Sequence, residues 1–286
     1  MAVIETIPSP RYRLVDGITA LYAVVVATVA LRVALSAPEV WWVAGAHLLI
    51  LPLIWMVRRP GQGRVGRFIA EVYPIALIAA LYTALDLLRG PTRPAVHDAL
   101  IQGWEQAVFG GQPSRDWWRA YPSLFWSTVL HGAYFMYYAI VPLPVLWFWF
   151  RKDFPALRRT VLIEMTAYVF CYLWFVFFPV AGPYYEFARP TGAFVQTFTA
   201  RLVYGALATG SSYGAAFPSS HVAASVAAAG SAWLGDRRLG AVLIVFAGFL
   251  TVATVYCQMH YAIDATAGLL VGGTTVWAVK WWGRTG

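Results

Sequence analysis

The sequence predicts an all-α polytopic membrane helix bundle of about eight transmembrane helices with one interfacial amphipathic helix. Three observations carry that expectation. Of the 286 residues, 60% are hydrophobic and 12% charged, about half the charge of a soluble domain. About eight apolar runs approach or exceed the ~18 residues that can cross a bilayer. The arginines and lysines concentrate in alternate connections between those runs, which is the positive-inside bias of a multi-pass protein.

The runs lie near Ile18–Leu35, Val40–Val57, Ile69–Leu88, Pro122–Phe150, Thr160–Val180, Pro218–Leu234, Leu239–Gln258 and Ala262–Trp281. Proline and glycine inside them are tolerated, because neighbouring helices re-satisfy the freed backbone groups. Tryptophans at their ends, such as Trp41, Trp42, Trp281 and Trp282, suit the interfacial belts. Arg58, Arg59, Arg64 and Arg67 follow the second run. Arg151, Lys152, Arg158 and Arg159 follow the fourth, and Arg237 and Arg238 the sixth. Arg11, Arg13, Lys280 and Arg284 are terminal. Eight crossings put all of these on one side, so both termini are expected in the cytoplasm. The net charge of +8 then follows from topology, and no nucleic-acid partner is expected. The first run has no signal-peptide cleavage pattern after it and is expected to be retained. Cys171 and Cys257 are too few for a disulfide framework and lack metal-ligand spacing, so they read as packing residues.

Residues 1–286 read as a single integral membrane domain, with 1–60 as additional N-terminal spans and 69–286 as the bundle that carries the chemistry. The two long connections, Arg89–Tyr121 and Ala181–Phe217, both fall outside. In the first, Ala99, Leu100, Trp104, Ala107 and Val108 share one helical face. Asp98, Gln102, Glu105 and Gln106 lie mostly on the other, which predicts a short amphipathic helix on the outer surface. The second is rich in glycine and aromatic residues and too long for a minimal connector, as lids and binding loops are.

Two motifs on that outer side carry the chemistry. Pro218-Ser219-Ser220-His221 opens the alanine-rich sixth run. Proline suits a first helical position. A helix N-terminus presents free N–H groups and a partial positive charge. Ser219 and Ser220 add hydroxyl donors, so the motif can cradle a phosphate, and His221 stands close enough to give it a proton. Taken alone, the motif reads equally well as a cap at the membrane interface. His260 and Asp264 form the second motif. Four residues apart on a helix they would share a face, where the carboxylate can hold one ring nitrogen and leave the other as a nucleophile. Ionisable residues at the membrane edge are functional candidates by default. His221 opens the sixth run from outside and His260 closes the seventh outside, so both motifs meet at one face.

These paired motifs resemble the second and third motifs of the type 2 phosphatidic acid phosphatase superfamily. Phe217 before Pro218, Tyr261 after His260 and the segment Phe178–Tyr185 resemble more closely its inositol phosphorylceramide synthase branch. Sphingomyelin synthases are similar at the His-Tyr-x-x-Asp step. The likeness is strongest over Phe178–Gly272 and weaker from His97 to the tyrosine-rich fourth run. The resemblance implies a metal-independent phosphoryl transfer without a cofactor, its partners being donor and acceptor lipids in the membrane and its site facing the extracytoplasmic side. It implies that His260 attacks phosphorus and becomes a phosphohistidine, that Asp264 orients it, and that His221 acts as acid and then as base. Ser219, Ser220 and nearby backbone N–H groups would hold the phosphoryl oxygens.

The sequence also departs from that pattern. The superfamily's first motif has a lysine seven residues before an Arg-Pro pair. Here Arg189-Pro190 is present, but Gly182 stands at the lysine position. Thr254 stands where an arginine precedes the third-motif histidine. Two cations that would neutralise a phosphate monoester are missing, which favours moving a phosphorylated head group between lipids. Hydrolysis of phosphatidic or polyprenyl phosphate stays the alternative, with charge drawn from Arg189, Arg93, Arg115, Arg119 or Arg201. Thr254→Arg is expected to aid monoester binding if missing charge limits it.

Candidates for the head-group site are Arg189 and Tyr184 in the second connection, Asp86 and Arg89 at the outer end of the third run, and His131 and Tyr138 in the fourth. A local ion pair is an equal reading for Asp86 and Arg89, and a buried structural histidine is the alternative for His131. Glu71 and Glu164 read as interfacial residues near the cytoplasmic side, and His47 as structural. Two other function classes compete. A transporter would call for an inverted repeat or ionisable residues clustered near mid-bilayer, and neither stands out. A zinc enzyme would use His221, His260 and Asp264 as ligands, and chelator sensitivity separates it.

Overall fold

The computed structural model describes residues 10–59, 63–89 and 95–285, and all regular elements among them are helical, apart from one isolated parallel bridge between Val180 and Ala215. The chain begins with α1 (Pro10–Val33), α2 (Trp41–Leu48), α3 (Ile50–Val57) and α4 (Arg64–Leu88). Two short helices, α5 (Asp98–Phe109) and α6 (Pro113–Ala120), lead to α7 (Leu124–Phe135), α8 (Tyr137–Ile140) and α9 (Pro142–Phe150). After α10 (Phe154–Phe177) come α11 (Pro183–Glu186) and α12 (Phe198–Gly210). The last three helices are α13 (Ser220–Gly235), α14 (Arg237–Tyr256) and α15 (Ala262–Thr285).

Among the described residues six helical stretches are long and apolar enough to cross a membrane, and Leu124–Ile140 with Pro142–Phe150 makes a seventh, bent by 42°. The bend falls at Pro142, which has no N–H to give to the preceding turn. The remaining expected span is short. α13 has 16 residues, about 24 Å at 1.5 Å per residue. Pro218 lies before the helix, and Ser219 caps it by accepting the Val222 N–H at 3.4 Å. Pro218 is therefore not the first helical residue that the sequence predicts. Ser220 is, and His221 follows it within the first turn. At its other end α13 stops at Asp236, whose carboxylate caps α14 by accepting the N–H groups of Arg238 at 3.0 Å and Leu239 at 3.2 Å.

α10 and α13 lie at the centre. Helices α1, α4, α9, α13 and α15 pack on α10, and α14 and α15 pack on α13. Tyr22 and Val26 of α1 share one apolar core with Leu157 and Tyr172 of α10, so the N-terminal span is built into the bundle. Ala223, Ala224, Ala227 and Ala228 are fully buried along α13. A Cβ on Gly268 of α15 would fall 2.6 Å from the Ser219 carbonyl oxygen, and one on Gly272 would fall 2.6 Å from that of Ala223. These two glycines let the backbones of α13 and α15 lie against one another.

The sequence reads Glu71 and Glu164 as interfacial, and the structure buries both side chains, Glu71 in the first third of α4 and Glu164 near the middle of α10. Glu71 is buried and receives Arg158, with Nη2 2.7 Å from Oε1. Glu164 is fully buried near the middle of α10, and neither of its carboxylate oxygens has a hydrogen-bond partner among the described residues. Apolar runs bound the ends of a helix only loosely, so α10 starts at Phe154, six residues before the expected Thr160, and carries Glu164 inward. His47 is buried, with Nδ1 2.8 Å from the Val43 carbonyl oxygen, a structural contact.

Candidate active site

The first turn of α13 and the turn between α14 and α15 meet at one end of the bundle. The Ser219 N–H donates to the Asp264 carbonyl at 3.0 Å, which ties the two segments together by backbone. His260 is not on a helix with Asp264, as the spacing predicts. It stands in the turn after α14, where its N–H and that of Met259 both donate to the Thr254 carbonyl at 2.9 Å. Asp264 is the third residue of α15 and reaches back to accept the Tyr261 N–H at 2.8 Å. That is one half of a capping box. It carries the Asp264 carboxylate to 3.4 Å from His260 Nδ1. This is an ion-pair distance rather than a formed hydrogen bond, since Nδ1 has no hydrogen-bond partner among the described residues. Catalytic hydrogen bonds are often long in an empty site and tighten around substrate. Burial lowers the His260 imidazole to about 4, so the ring is neutral at pH 7, the form a nucleophile needs.

The His221 ring lies 5.7 Å from the His260 ring, centroid to centroid. Tyr137 and Tyr134 flank His221 with centroids at 4.4 and 5.1 Å. The Tyr134 hydroxyl is 3.3 Å from His221 Nε2, while Nδ1 has no hydrogen-bond partner among the described residues. Ser220 and His221 line a cavity of about 380 Å³ walled by Tyr82, Tyr134, Tyr137, Tyr138, Tyr168 and Tyr172. A volume in that range fits a small ligand or one end of a larger one. A wider groove of about 950 Å³ between α6, α7 and α14 is lined by Trp117, Trp126 and Phe249 and by neither histidine.

The expected head-group residues divide. Tyr138 lines the cavity. Arg89 lies beside it, near Tyr82, Tyr185 and Tyr213. Its Nη1 and Nη2 are buried without hydrogen-bond partners among the described residues. Gly214, at φ 83°, makes room for it, since a Cβ there would lie 2.8 Å from Arg89 Cζ. Asp86 is exposed and forms no ion pair with Arg89 within 4.0 Å among the described residues, so the local pair is not made. Arg189 is exposed and stacks over Tyr184 at 4.2 Å. His131 is buried between Phe194 and Tyr204, with Nδ1 2.8 Å from the Ser127 carbonyl oxygen, and does not line the cavity. The Ser127 carbonyl and the rings of Phe194 and Tyr204 hold the imidazole outside the cavity lining, to which α12 contributes Val203, Ala206 and Leu207 instead. Arg93 lies outside the described residues. Thr254 is fully buried, and its hydroxyl donates to the Thr251 carbonyl at 2.7 Å. Thr254→Arg would therefore bury a charge rather than deliver one to phosphate, which removes that substitution as a test of missing charge.

Sequence reasoning missed the role of α5. The amphipathic helix forms, but its polar side is the buried one. Asp98 and Glu105 are buried, while Leu100, Trp104 and Val108 are exposed. The Asp98 carboxylate accepts the N–H groups of Ala181 at 2.7 Å and Gly182 at 2.8 Å, and the Tyr261 hydroxyl at 3.0 Å. The available signal was two acids and a glutamine on one face of a helix whose other face is apolar. On a membrane protein the apolar face can be the outer one. Gln258, in the same turn as His260, accepts the Trp118 indole N–H and an Arg119 N–H, both at 2.9 Å, so α6 also holds that turn.

A family model described as the PAP2 superfamily matches residues 101–278, more than half of the chain and all of the site just described apart from Arg89, Asp98 and Tyr82. No curated protein and no solved structure matches the chain.

Proposed function

Because the chain belongs to the PAP2 superfamily, we propose that it is a membrane-embedded phosphotransferase that moves a phosphorylated head group between lipids through a phosphohistidine on His260. Membership itself supports a phosphatase- or phosphotransferase-type activity on phosphate esters. The observation that carries the finer reading is the pair of imidazoles from two separate motifs, 5.7 Å apart, of which His221 lines a tyrosine-walled cavity.

In the first step the His260 nitrogen remote from Asp264 attacks phosphorus. An N–P bond forms, the P–O bond to the donor lipid breaks, and His221 gives the departing oxygen its proton. In the second step His221 takes the proton of the acceptor hydroxyl. That oxygen attacks phosphorus, the N–P bond breaks, and His260 is restored. Asp264 steadies the charge that builds on His260. The N-terminus of α13 and the Ser220 hydroxyl face the phosphoryl oxygens. Arg89 supplies positive charge from the side of Gly214. One buried guanidinium suits a phosphodiester monoanion better than a monoester dianion, which favours transfer over hydrolysis. The arginine distribution supports a reading with the termini in the cytoplasm and this chemistry at the extracytoplasmic side.

The test is transfer of label from phosphatidylinositol, labelled in the phosphorus, to ceramide or diacylglycerol by purified protein in nanodiscs with chelator present. Labelled phosphatidic acid is offered separately. Label in a second lipid is the expected result. Free phosphate from phosphatidic acid, with no lipid product from phosphatidylinositol, would instead make the protein a lipid phosphatase. Arg89→Ala is expected to lower kcat/KM about 10- to 100-fold, the value of a hydrogen bond to a charged group, and Arg89→Lys to recover part of it. An unchanged kcat/KM in Arg89→Ala removes Arg89 from the site.

A further inference from the structure

We infer that Glu105 is a positioning residue for the phosphoryl transfer: through the Ala262 N–H it fixes the turn that carries His260 against Asp264. The inference rests on the reading of His260 as nucleophile.

Ala262 is the first residue of α15, and its N–H is one of those that a helix leaves without an internal partner. A serine or aspartate just before the helix would cap it locally. Here that residue is Tyr261, whose hydroxyl is committed to Asp98. The fold takes its cap from elsewhere. The fully buried Glu105 carboxylate, from α5, accepts the Ala262 N–H. Its second oxygen, Oε2, is buried and has no hydrogen-bond partner among the described residues. The Gln102 amide donates to the Tyr261 hydroxyl at 3.0 Å, one turn from Glu105 on the same face of α5. Asp98, Gln102 and Glu105 thus grip Tyr261 and Ala262, which stand between His260 and Asp264 in sequence. The His260–Asp264 contact is only 3.4 Å, and His260 Nδ1 has no hydrogen-bond partner among the described residues. Its geometry therefore depends on where the intervening residues, Tyr261 and Ala262 among them, are held. Releasing Ala262 leaves the turn free to move by the ångström or so that matters for in-line attack.

A role confined to stability and a role in positioning differ in what they change. The Glu105 carboxyl is pushed up to about 7 by burial, with Asp264 and Asp116 as the neighbouring carboxylates and Tyr261 and Asp98 on the same side. Its charged form, the stronger acceptor for an N–H, is present above pH 7 and is lost as the pH falls through 7. The positioned turn predicts a matching fall in kcat.

The experiment measures phosphoenzyme formation and steady-state transfer from labelled phosphatidylinositol in nanodiscs, from pH 5.5 to 8.5 as an assay window of about three units around that value. Variants are Glu105→Leu, Glu105→Gln and His260→Ala, with melting temperatures alongside. Glu105→Leu is expected to lose about 10- to 100-fold in kcat with KM changed less than about threefold. Glu105→Gln keeps an acceptor oxygen and is expected to recover most of kcat while losing the inflection near pH 7. If His260→Ala is inactive and Glu105→Leu keeps wild-type kcat, the positioning role is overturned and the nucleophile stands. If Glu105→Leu does not fold, Glu105→Gln decides: an inflection unchanged from wild type overturns the inference. Activity in His260→Ala would overturn the nucleophile assignment and the positioning role with it.

Discussion

His260→Ala is expected to abolish transfer from every donor lipid, by about 10⁴-fold or more, the scale seen when a nucleophile that works as part of a unit is removed. No phosphorylated protein should form, because the N–P bond has no nitrogen to form on. The fold should survive. The backbone N–H of His260, bonded to Thr254, does not depend on the side chain. Asp264→Asn is the companion. It keeps the cap on the Tyr261 N–H, since an amide oxygen still accepts, but loses the charge opposite the His260 ring. Its expected loss is about 10³- to 10⁴-fold in kcat, as for other carboxylate-to-amide changes behind a catalytic histidine. Purified His260→Ala with wild-type turnover would remove the mechanism. A phosphorylated protein in which the label sits on another residue would move the nucleophile.

Gly268→Val is expected to have the second largest effect, and through packing alone. Its first added carbon would fall 2.6 Å from the Ser219 carbonyl oxygen and 2.9 Å from the Val222 side chain. Backbone cannot turn aside as a side chain can, so α13 and α15 must separate. Overpacking of this kind costs about 1–3 kcal/mol. The displaced atoms belong to the residue that caps α13, next to His221. The expected result is a lower melting temperature together with about a 100-fold loss of kcat from misplacement. Gly273→Ala is the control. It lies on the same helix, with nothing within 4 Å of the added carbon, and gains up to ~1 kcal/mol of helix propensity. Equal losses in the two variants would mean that the close approach of α13 to α15 does not set the site.

Those two glycines mark where sequence reading stops. Both stand in one apolar run, and nothing in composition or periodicity separates them. The difference is which side of α15 faces α13. The same limit explains His131 and Glu164. An ionisable residue in an apolar run is legible, but the direction in which it points is not. It explains α5 as well. The amphipathic pattern predicted the helix, but not that its acidic side turns inward onto the turn of His260, because the exposed side of a membrane protein need not be polar. By contrast, the site's two halves were visible as short motifs. Proline, serine and histidine at a helix start announce a helix N-terminus wherever it lies, and a carboxylate four residues from a histidine has few places to go.

The sequence by itself determined a helical, multi-pass chain and its alternating charge, and it singled out His221, His260 and Asp264 as candidates. These follow from composition and from spacings of a few residues, which local chain geometry fixes. Only the tertiary structure decided that the two histidines stand 5.7 Å apart, that the Arg89 Nη groups lie buried with no acceptor among the described residues, and that Glu105 caps a helix 157 residues further along the chain. Each of these joins segments far apart in sequence. Their meeting is set by which helix faces bury against one another, and that is a property of the whole packed bundle.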